Sequence, residues 1–271
     1  MSNQGKAGSF IDFQIAVEQR TAINSDIQSL RPDWKGAKIK WYSPIKVSGY
    51  KEFHDTTFWN GRFKKTDSSF WEGLGDHISF QGFWPKGGPS WDGLAVLEKE
   101  DGHKTLLLFE AKSHKGELIS YCSAKNPNAI KLICRRLNIA QEELGLNKKA
   151  DLMIRYYQFA NRLAHLHFLQ SQKIDVALIN ILFANDPYWN SKDKTGVDDW
   201  KKAQLKKMQY FGIDDNFLLT HCIYERIIDL NSEQYADVLK EIKSRLKNLI
   251  ILPSSTTTQG SILTAYTPSK R

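Results

Sequence analysis

The sequence predicts an α/β protein in which a mixed β-sheet core is flanked by helices, with additional helices near both ends of the chain. Three observations favour this class. Residues 174–183 (IDVALINILF) form an apolar run rich in β-branched residues, which is typical of a buried strand. Residues 91–98 and 104–113 are apolar runs around Glu100-Asp101-Gly102, a hairpin signal. Leu152, Tyr156, Phe159, Leu163 and Leu166 form a stripe at helical spacing.

The first third of the chain predicts a long helix followed by short segments. Ser9 caps a helix through about Leu30, and Pro32 follows its end. Residues 36–60 alternate aromatic residues, lysines and glycines, which indicates short strands or loops. We then expect a helix at 63–72, a strand at 77–80 and turns over 81–89.

Helical patterns alternate with strand patterns in the second half. The expected helices are 126–137, 151–169, 198–210 and 232–247, and a strand-like segment covers 217–228. We expect one domain over residues 1–252, with its core at about 60–230, and a flexible Ser/Thr-rich tail at 253–271.

Composition favours a cytoplasmic protein that contacts polyanions. The 271 residues are 41% apolar, and no apolar stretch approaches the ~20 residues needed to span a membrane. Cys122, Cys134 and Cys222 form no CxxC pair, which excludes a disulfide scaffold and a cysteine-based zinc site. The net charge of +8 favours nucleic acid as partner, although a basic protein without such a partner has the same charge.

Two carboxylates and a lysine stand at the ends of the predicted hairpin strands. Asp92 opens the first strand, and Glu110 and Lys112 close the second after an apolar run. Residues two apart on a strand share a face, so Glu110 and Lys112 lie on one side. Converging carboxylates bind Mg²⁺, which polarises a phosphodiester and lowers the pKa of a bound water. A lysine orients that water, accepts its proton if its own pKa is depressed, or stabilises the extra charge.

The Glu-x-Lys pattern is weak by itself, because Asp/Glu-x-Lys occurs four times in this chain. Asp199–Lys201 and Glu241–Lys243 lie on predicted helices, where such residues diverge, and Asp33–Lys35 lies in a loop. Glu110–Lys112 alone ends an apolar strand with an aspartate on its partner strand, although a surface ion pair at a strand end is the alternative. A two-residue turn at Asp101-Gly102 would turn Asp92 away from Glu110. A metal site formed by both carboxylates therefore predicts an odd-length loop or a bulge, which would place Asp92 opposite Glu110.

Asp92, seventeen intervening residues and Glu110-Ala-Lys112 resemble the PD-(D/E)XK nuclease superfamily, which has the restriction-endonuclease-like fold. The stretches GPSWDGLAVL, LLLFEAKSHKGEL, FANRLAHLHFL and NILFAND are similar to a group of uncharacterised bacterial proteins of that superfamily, over about residues 60–230. The resemblance implies that Asp92 and Glu110 are metal ligands and Lys112 is the catalytic lysine. Pro89 departs from the usual pattern, because two residues separate it from Asp92.

The resemblance also implies helper groups around the site. Glu72, with Asp76 as second choice, is the candidate for an auxiliary acid from a preceding helix. Gln158 is the candidate polar group from the helix after the active-site strands, and a solvent-facing helix surface is the alternative. The backbone carbonyl of Ala111 is a candidate third metal ligand, because it lies between the two site side chains.

Basic residues follow the predicted site and offer contacts to a phosphate backbone. The candidate nucleic-acid-binding residues are Lys115, Lys125, Lys131, Arg135 and Arg136. Lys201, Lys202, Lys206 and Lys207 form a second cluster, which a solvated helix face explains equally well.

The resulting expectation is a Mg²⁺-dependent endodeoxyribonuclease-like hydrolase in a bacterial defence, restriction or repair setting. Mn²⁺ is expected to substitute, and a homodimer is an option because double-strand cutters often need two sites. The alternatives are a catalytically inactive nucleic-acid-binding module of the same fold and a protein that binds RNA.

Overall fold

A mixed β-sheet lies at the centre of the computed structural model, which describes residues 8–50, 52–54, 82–86, 88–190 and 193–251. Its strands are β1 (Lys38–Ser43), β4 (Gly93–Glu98), β5 (Lys104–Lys112), β6 (Val176–Ala184) and β7 (Ile223–Asp229). Their order is β1-β4-β5-β6-β7, with antiparallel pairing from β1 to β5 and parallel pairing from β5 to β7. The short strands β2 (Phe53–His54) and β3 (Ser90–Trp91) pair with each other. The predicted mixed sheet is confirmed.

Helices cover both faces of this sheet. They are α1 (Ser9–Gln19), α2 (Thr21–Gln28), α3 (Pro127–Glu143), α4 (Tyr157–Ser171), α5 (Val197–Phe211), α6 (Asp215–Thr220) and α7 (Ala236–Ile251). Apolar residues of α1, α2 and α7 pack on one face, and those of α3, α4 and α5 pack on the other. None of the described helices is long and apolar enough to cross a membrane.

The central strands are apolar on both faces because both faces are covered. In β5, Leu106 and Leu108 pack toward α3 and α4, whereas Leu107 and Phe109 pack toward α1. All nine residues of β6 are buried, as the apolar run at 174–183 predicts. A charged side chain at the end of β5 therefore lies against packed helices, not in open solvent.

Two predicted helices differ from the observed ones. The chain turns at Arg20, where φ is 56°, so the expected helix from Ser9 to Leu30 is two helices. α4 begins at Tyr157 and not at Asp151, because the preceding residues pair with a loop: Ser120 donates its backbone N–H to Arg155 O at 2.7 Å. The predicted apolar stripe is still buried.

The remaining differences concern boundaries. The segment predicted as one strand at 217–228 contains the end of α6 followed by β7. α3 continues to Glu143, beyond its predicted end at about Leu137. The predicted helix at 63–72, the strand at 77–80 and the tail at 253–271 lie outside the described residues.

Candidate active site

Asp92 lies between β3 and β4, beside the end of β5. The ladder pairs Gly93 with Phe109 and Glu98 with Lys104, which leaves an odd-length loop between the two strands. If the same register is continued by one residue beyond Gly93, Asp92 lies opposite Glu110. The prediction of an odd-length loop that brings these two residues opposite each other is therefore confirmed. The backbone N–H of Ala111 donates to Asp92 Oδ2 at 2.7 Å, which holds the carboxylate against β5.

The residue after Asp92 must be very small. A Cβ at Gly93 would lie 2.5 Å from Phe13 Cε1 and 3.2 Å from Ser43 O, both closer than van der Waals contact allows. Gly93 thus lets α1 and β1 approach the strand that carries Asp92. The close packing of these elements helps to set the position of the carboxylate.

Glu110 and Lys112 share one face of β5, as their spacing predicts. Lys112 Nζ donates to Glu110 Oε1 and to Ala111 O, the latter at 3.2 Å, and it lies 4.0 Å from Asp92 Oδ2. The side chains of Glu110 and Lys112 are 7% and 11% exposed, whereas that of Asp92 keeps 20% of its surface exposed. The three ionisable groups therefore lie together, with Asp92 nearest to solvent.

Burial and mutual charge set the protonation of these groups. Burial raises the pKa of Asp92, and the Glu110 charge raises it further, to about 8. Burial also acts to raise the pKa of Glu110, but the charges of Arg162 and Lys112 outweigh it and hold that pKa below its usual value. Burial acts to lower the pKa of Lys112, yet Glu110 and Asp92 raise it to about 12. Lys112 is therefore an ammonium donor, and its expected alternative role as a proton acceptor is not favoured here.

The donor atoms suit a hard divalent cation. Two carboxylates and a backbone carbonyl, from Asp92, Glu110 and Ala111, are the oxygen ligands that Mg²⁺ prefers. An ionised carboxylate has about four lone-pair positions, so the bonds from Lys112 and Arg162 leave Glu110 with acceptor capacity. Within the described ranges, however, no three His, Cys, Asp or Glu side chains converge as a metal-binding group. Glu72 and Asp76, the predicted auxiliary acids, lie outside the described residues.

Arg162 of α4 reaches the site, although it is not among the site residues that the sequence predicts. Its Nε donates to Glu110 Oε2 at 2.8 Å, and its Nη2 donates to Ser90 O at 2.5 Å. The guanidinium lies over the Trp91 ring, 4.5 Å from the centroid. Arg162 follows Gln158 by four residues on the same helix face, and this spacing was the signal that could have found it.

A narrow cavity of about 20 Å³ adjoins the site, which is space for about one water molecule. Its polar lining includes Glu110, Lys112, Gln158, Arg162, Asn180 and Lys207. Gln158 therefore lies at the cavity wall, on the helix from which a polar group was expected. Its backbone N–H donates to Ser120 Oγ at 2.8 Å, which fixes the first turn of α4 beside the cavity.

A row of polar side chains continues from Glu110 across the parallel strands. Glu110 pairs with Asn180, and Asn180 pairs with Glu225, so the three residues share one face. Asn180 Nδ2 donates to Glu225 Oε1 at 3.2 Å, and Lys207 Nζ forms an ion pair with the same oxygen. Lys207 is 1% exposed, so the prediction that it lies on a solvated or DNA-facing surface is wrong. A polar Asn180 within an otherwise apolar strand was the sequence signal for this row.

The predicted nucleic-acid-binding residues lie before and along α3 and beside the end of β5. Lys115, Lys125, Lys131 and Arg135 are exposed. Lys115 Nζ lies 3.5 Å from Asp199 Oδ1, which offsets part of its charge. Arg136 is half-buried, because its Nη2 donates to Gly82 O at 2.8 Å and its guanidinium lies over Phe83. The accessible positive charge of α3 therefore comes from the other basic residues.

The chain matches no protein-family model, no curated protein and no solved structure. Its relationship to the PD-(D/E)XK superfamily stays a prediction from the motif residues. The arrangement of Asp92, Glu110 and Lys112 described above is the basis for the proposal that follows.

Proposed function

We propose that this protein is a Mg²⁺-dependent nuclease of the PD-(D/E)XK superfamily that hydrolyses phosphodiester bonds, with DNA as its substrate. The observation that carries the proposal is the convergence of Asp92, Glu110 and Lys112 at the neighbouring ends of β4 and β5. Lys112 Nζ contacts Glu110 and lies 4.0 Å from Asp92 Oδ2, and Asp92 is bonded to the Ala111 backbone. Charged groups in a packed sheet cost free energy, so their assembly there favours a chemical role.

Different residues of the chain have different roles in the proposed hydrolysis. Asp92, Glu110 and the Ala111 carbonyl would hold a divalent cation, which supplies charge neutralisation and an acidified water when bound. Lys112 stays protonated, so it donates hydrogen bonds and stabilises negative charge that develops on the phosphate. The exposed basic residues before and along α3 would position the backbone of the nucleic acid without reading its sequence.

A cleavage assay on the full-length chain tests the proposal. Supercoiled, linear and single-stranded DNA are incubated with Mg²⁺, Mn²⁺ or EDTA, and the products are resolved on gels. We expect metal-dependent cleavage that falls by about 10²–10³-fold or more in Asp92→Asn and Lys112→Met, because the first removes a metal ligand and the second removes the cation that stabilises charge on the phosphate. DNA binding, measured in EDTA, should change little in these variants. If both variants cut as well as the parent, the assignment is wrong.

A second candidate function is a nucleic-acid-binding module that does not hydrolyse its ligand. The observation that favours it is that both carboxylate oxygens of Glu110 already accept from the chain itself, one from Lys112 and the other from Arg162. Calorimetric titration with Mn²⁺ separates the two functions. The nuclease requires a binding event that Asp92→Asn removes, whereas the inactive module binds DNA equally well with and without the metal.

A further inference from the structure

Arg162 joins β5, which carries Glu110, to β3, which directly precedes Asp92. Its side chain comes from α4 and is only 3% exposed. Nε and Nη2 lie 2.8 and 2.7 Å from Glu110 Oε2 on β5, and Nη2 also donates to Ser90 O on β3. One guanidinium therefore contacts both sides of the site at the same time.

The contact with Ser90 matters because of where that residue lies. Ser90 and Trp91 directly precede Asp92, and Arg162 bonds the carbonyl of the first and covers the ring of the second. The Ala111 N–H holds the Asp92 carboxylate from the other side. Arg162 thus fixes the segment that leads into Asp92 relative to the side chain of Glu110.

A guanidinium is suited to this bridge because its donors form a rigid planar fork. An ammonium is a single point charge on a flexible chain, and it cannot hold a carboxylate oxygen and a distant carbonyl in the same fixed geometry. Arg162 engages Glu110 Oε2 alone, and the Oε1 atom, which accepts from Lys112, keeps a further lone pair. Arg162 and a divalent cation can therefore bind Glu110 together.

We propose that Arg162 is a positioning residue that sets the separation and orientation of the Asp92 and Glu110 carboxylates for a divalent cation. This inference rests on the proposed nuclease function and deepens it. Arg162 acts through Glu110 and Ser90 and does not itself need to touch the substrate. Groups that orient metal ligands in this way typically change metal affinity by about 10–100-fold when they are removed.

The test is a Mn²⁺ titration of the full-length protein, with free Mn²⁺ measured by electron paramagnetic resonance. The variants are Arg162→Lys and Arg162→Gln, and the control is Arg245→Lys, an arginine of α7 with two carboxylate partners, Glu18 and Glu241. We expect both Arg162 variants to bind Mn²⁺ about 10–100-fold more weakly, with no rescue by lysine, while the control binds as the parent does. In cleavage assays of the Arg162 variants, the metal concentration that gives the half-maximal rate should rise by a large factor. The kcat at saturating metal should fall by a smaller factor.

Each result has a distinct meaning. Folded Arg162 variants that bind Mn²⁺ as tightly as the parent overturn the positioning role and leave the nuclease proposal standing. A parent protein that binds no Mn²⁺, or binds it equally after Asp92→Asn, overturns the nuclease proposal and this inference with it. Circular dichroism of each variant checks the fold, and a lysine variant that restores full affinity would also contradict the bridge. Should Arg162→Gln fail to fold, Arg162→Lys keeps the buried charge and decides the question.

Discussion

The backbone N–H of Ala111 donates a 2.7 Å hydrogen bond to the Asp92 carboxylate. This bond ties the first proposed metal ligand to the strand that carries the second, because Ala111 stands between Glu110 and Lys112. A backbone donor is independent of the side chain at position 111. The position of Asp92 therefore depends on the sheet register and on the packing of Gly93.

Gly93→Ala is expected to disturb the site through packing. The added methyl group would overlap Phe13 and approach Ser43 O, so α1 or β4 must shift. We expect a loss of about 1–3 kcal/mol in the free energy of unfolding, measured in urea, and weaker Mn²⁺ binding because Asp92 moves. Gly196→Ala is the control, since its added Cβ would meet nothing closer than 3.8 Å. Equal effects of the two substitutions would contradict the packing argument.

Glu110→Ala is expected to lower the free energy of unfolding as well as to impair the site. Arg162 and Lys112 would remain buried without their carboxylate partner, which typically costs about 3–5 kcal/mol. Urea unfolding measures the loss. Asp198→Ala is the comparison, because its ion pair with Lys201 is exposed and should contribute no more than about 1 kcal/mol. A similar small loss for both variants would show that the Glu110 ion pairs contribute little.

The basic residues before and along α3 are expected to control the salt dependence of DNA binding. A triple change of Lys125, Lys131 and Arg135 to glutamine should lower the slope of log affinity against log salt by about 2–3, because each side chain that neutralises a phosphate adds nearly one to that slope. Filter binding at several salt concentrations measures the slope. The matched control changes Lys201, Lys202 and Lys206 of α5 to glutamine. A slope that changes only in the control places the DNA surface on α5.

Asp12→Asn is expected to stabilise the protein at neutral pH. Oδ2 of Asp12 and Oδ2 of Asp186 are buried with no donor from the described residues, and the two carboxyl groups lie within hydrogen-bonding reach. Burial, and then the charge of Asp186, raises the pKa of Asp12 well above 3.8, and burial also raises the pKa of Asp186. Glu117 adds further repulsion to both. The folded state therefore keeps a proton that the unfolded state loses.

The sign of the pH dependence follows from that difference. Stability falls as the pH rises from about 3.8 toward the raised folded value, because the folded protein binds more protons over this window. An amide at position 12 donates to Asp186 without carrying charge, so Asp12→Asn should gain stability at pH 8 and little at pH 3.5. Thermal unfolding at both pH values measures this. Asp33→Asn is the control of opposite sign, since Lys99 lowers the pKa of Asp33 to about 2. A loss of stability at pH 8 in Asp12→Asn would contradict the claim that the folded state keeps a proton on Asp12.

Features that depend on short-range geometry could be predicted from the residues alone. Side chains on a strand alternate with a period of two, so the shared face of Glu110 and Lys112 could be predicted without any tertiary contact. The odd register of Asp92 against Glu110 followed from chemistry that requires the two carboxylates to converge. The buried strand near 174–183 and most helices followed from apolar periodicity, although their ends did not.

Tertiary packing selects which helical cations reach the sheet. Arg162 is the one arginine of α4 and Lys207 is one of several lysines of α5, and only the packing of these two helices brings the pair over Glu110 and Glu225. The late start of α4 arises from the hydrogen bonds that the preceding residues form with the distant segment at Ser120, which local propensity does not contain. A strand's face is set by its own backbone, whereas the partner of a buried charge is set by the angle and position at which another element packs.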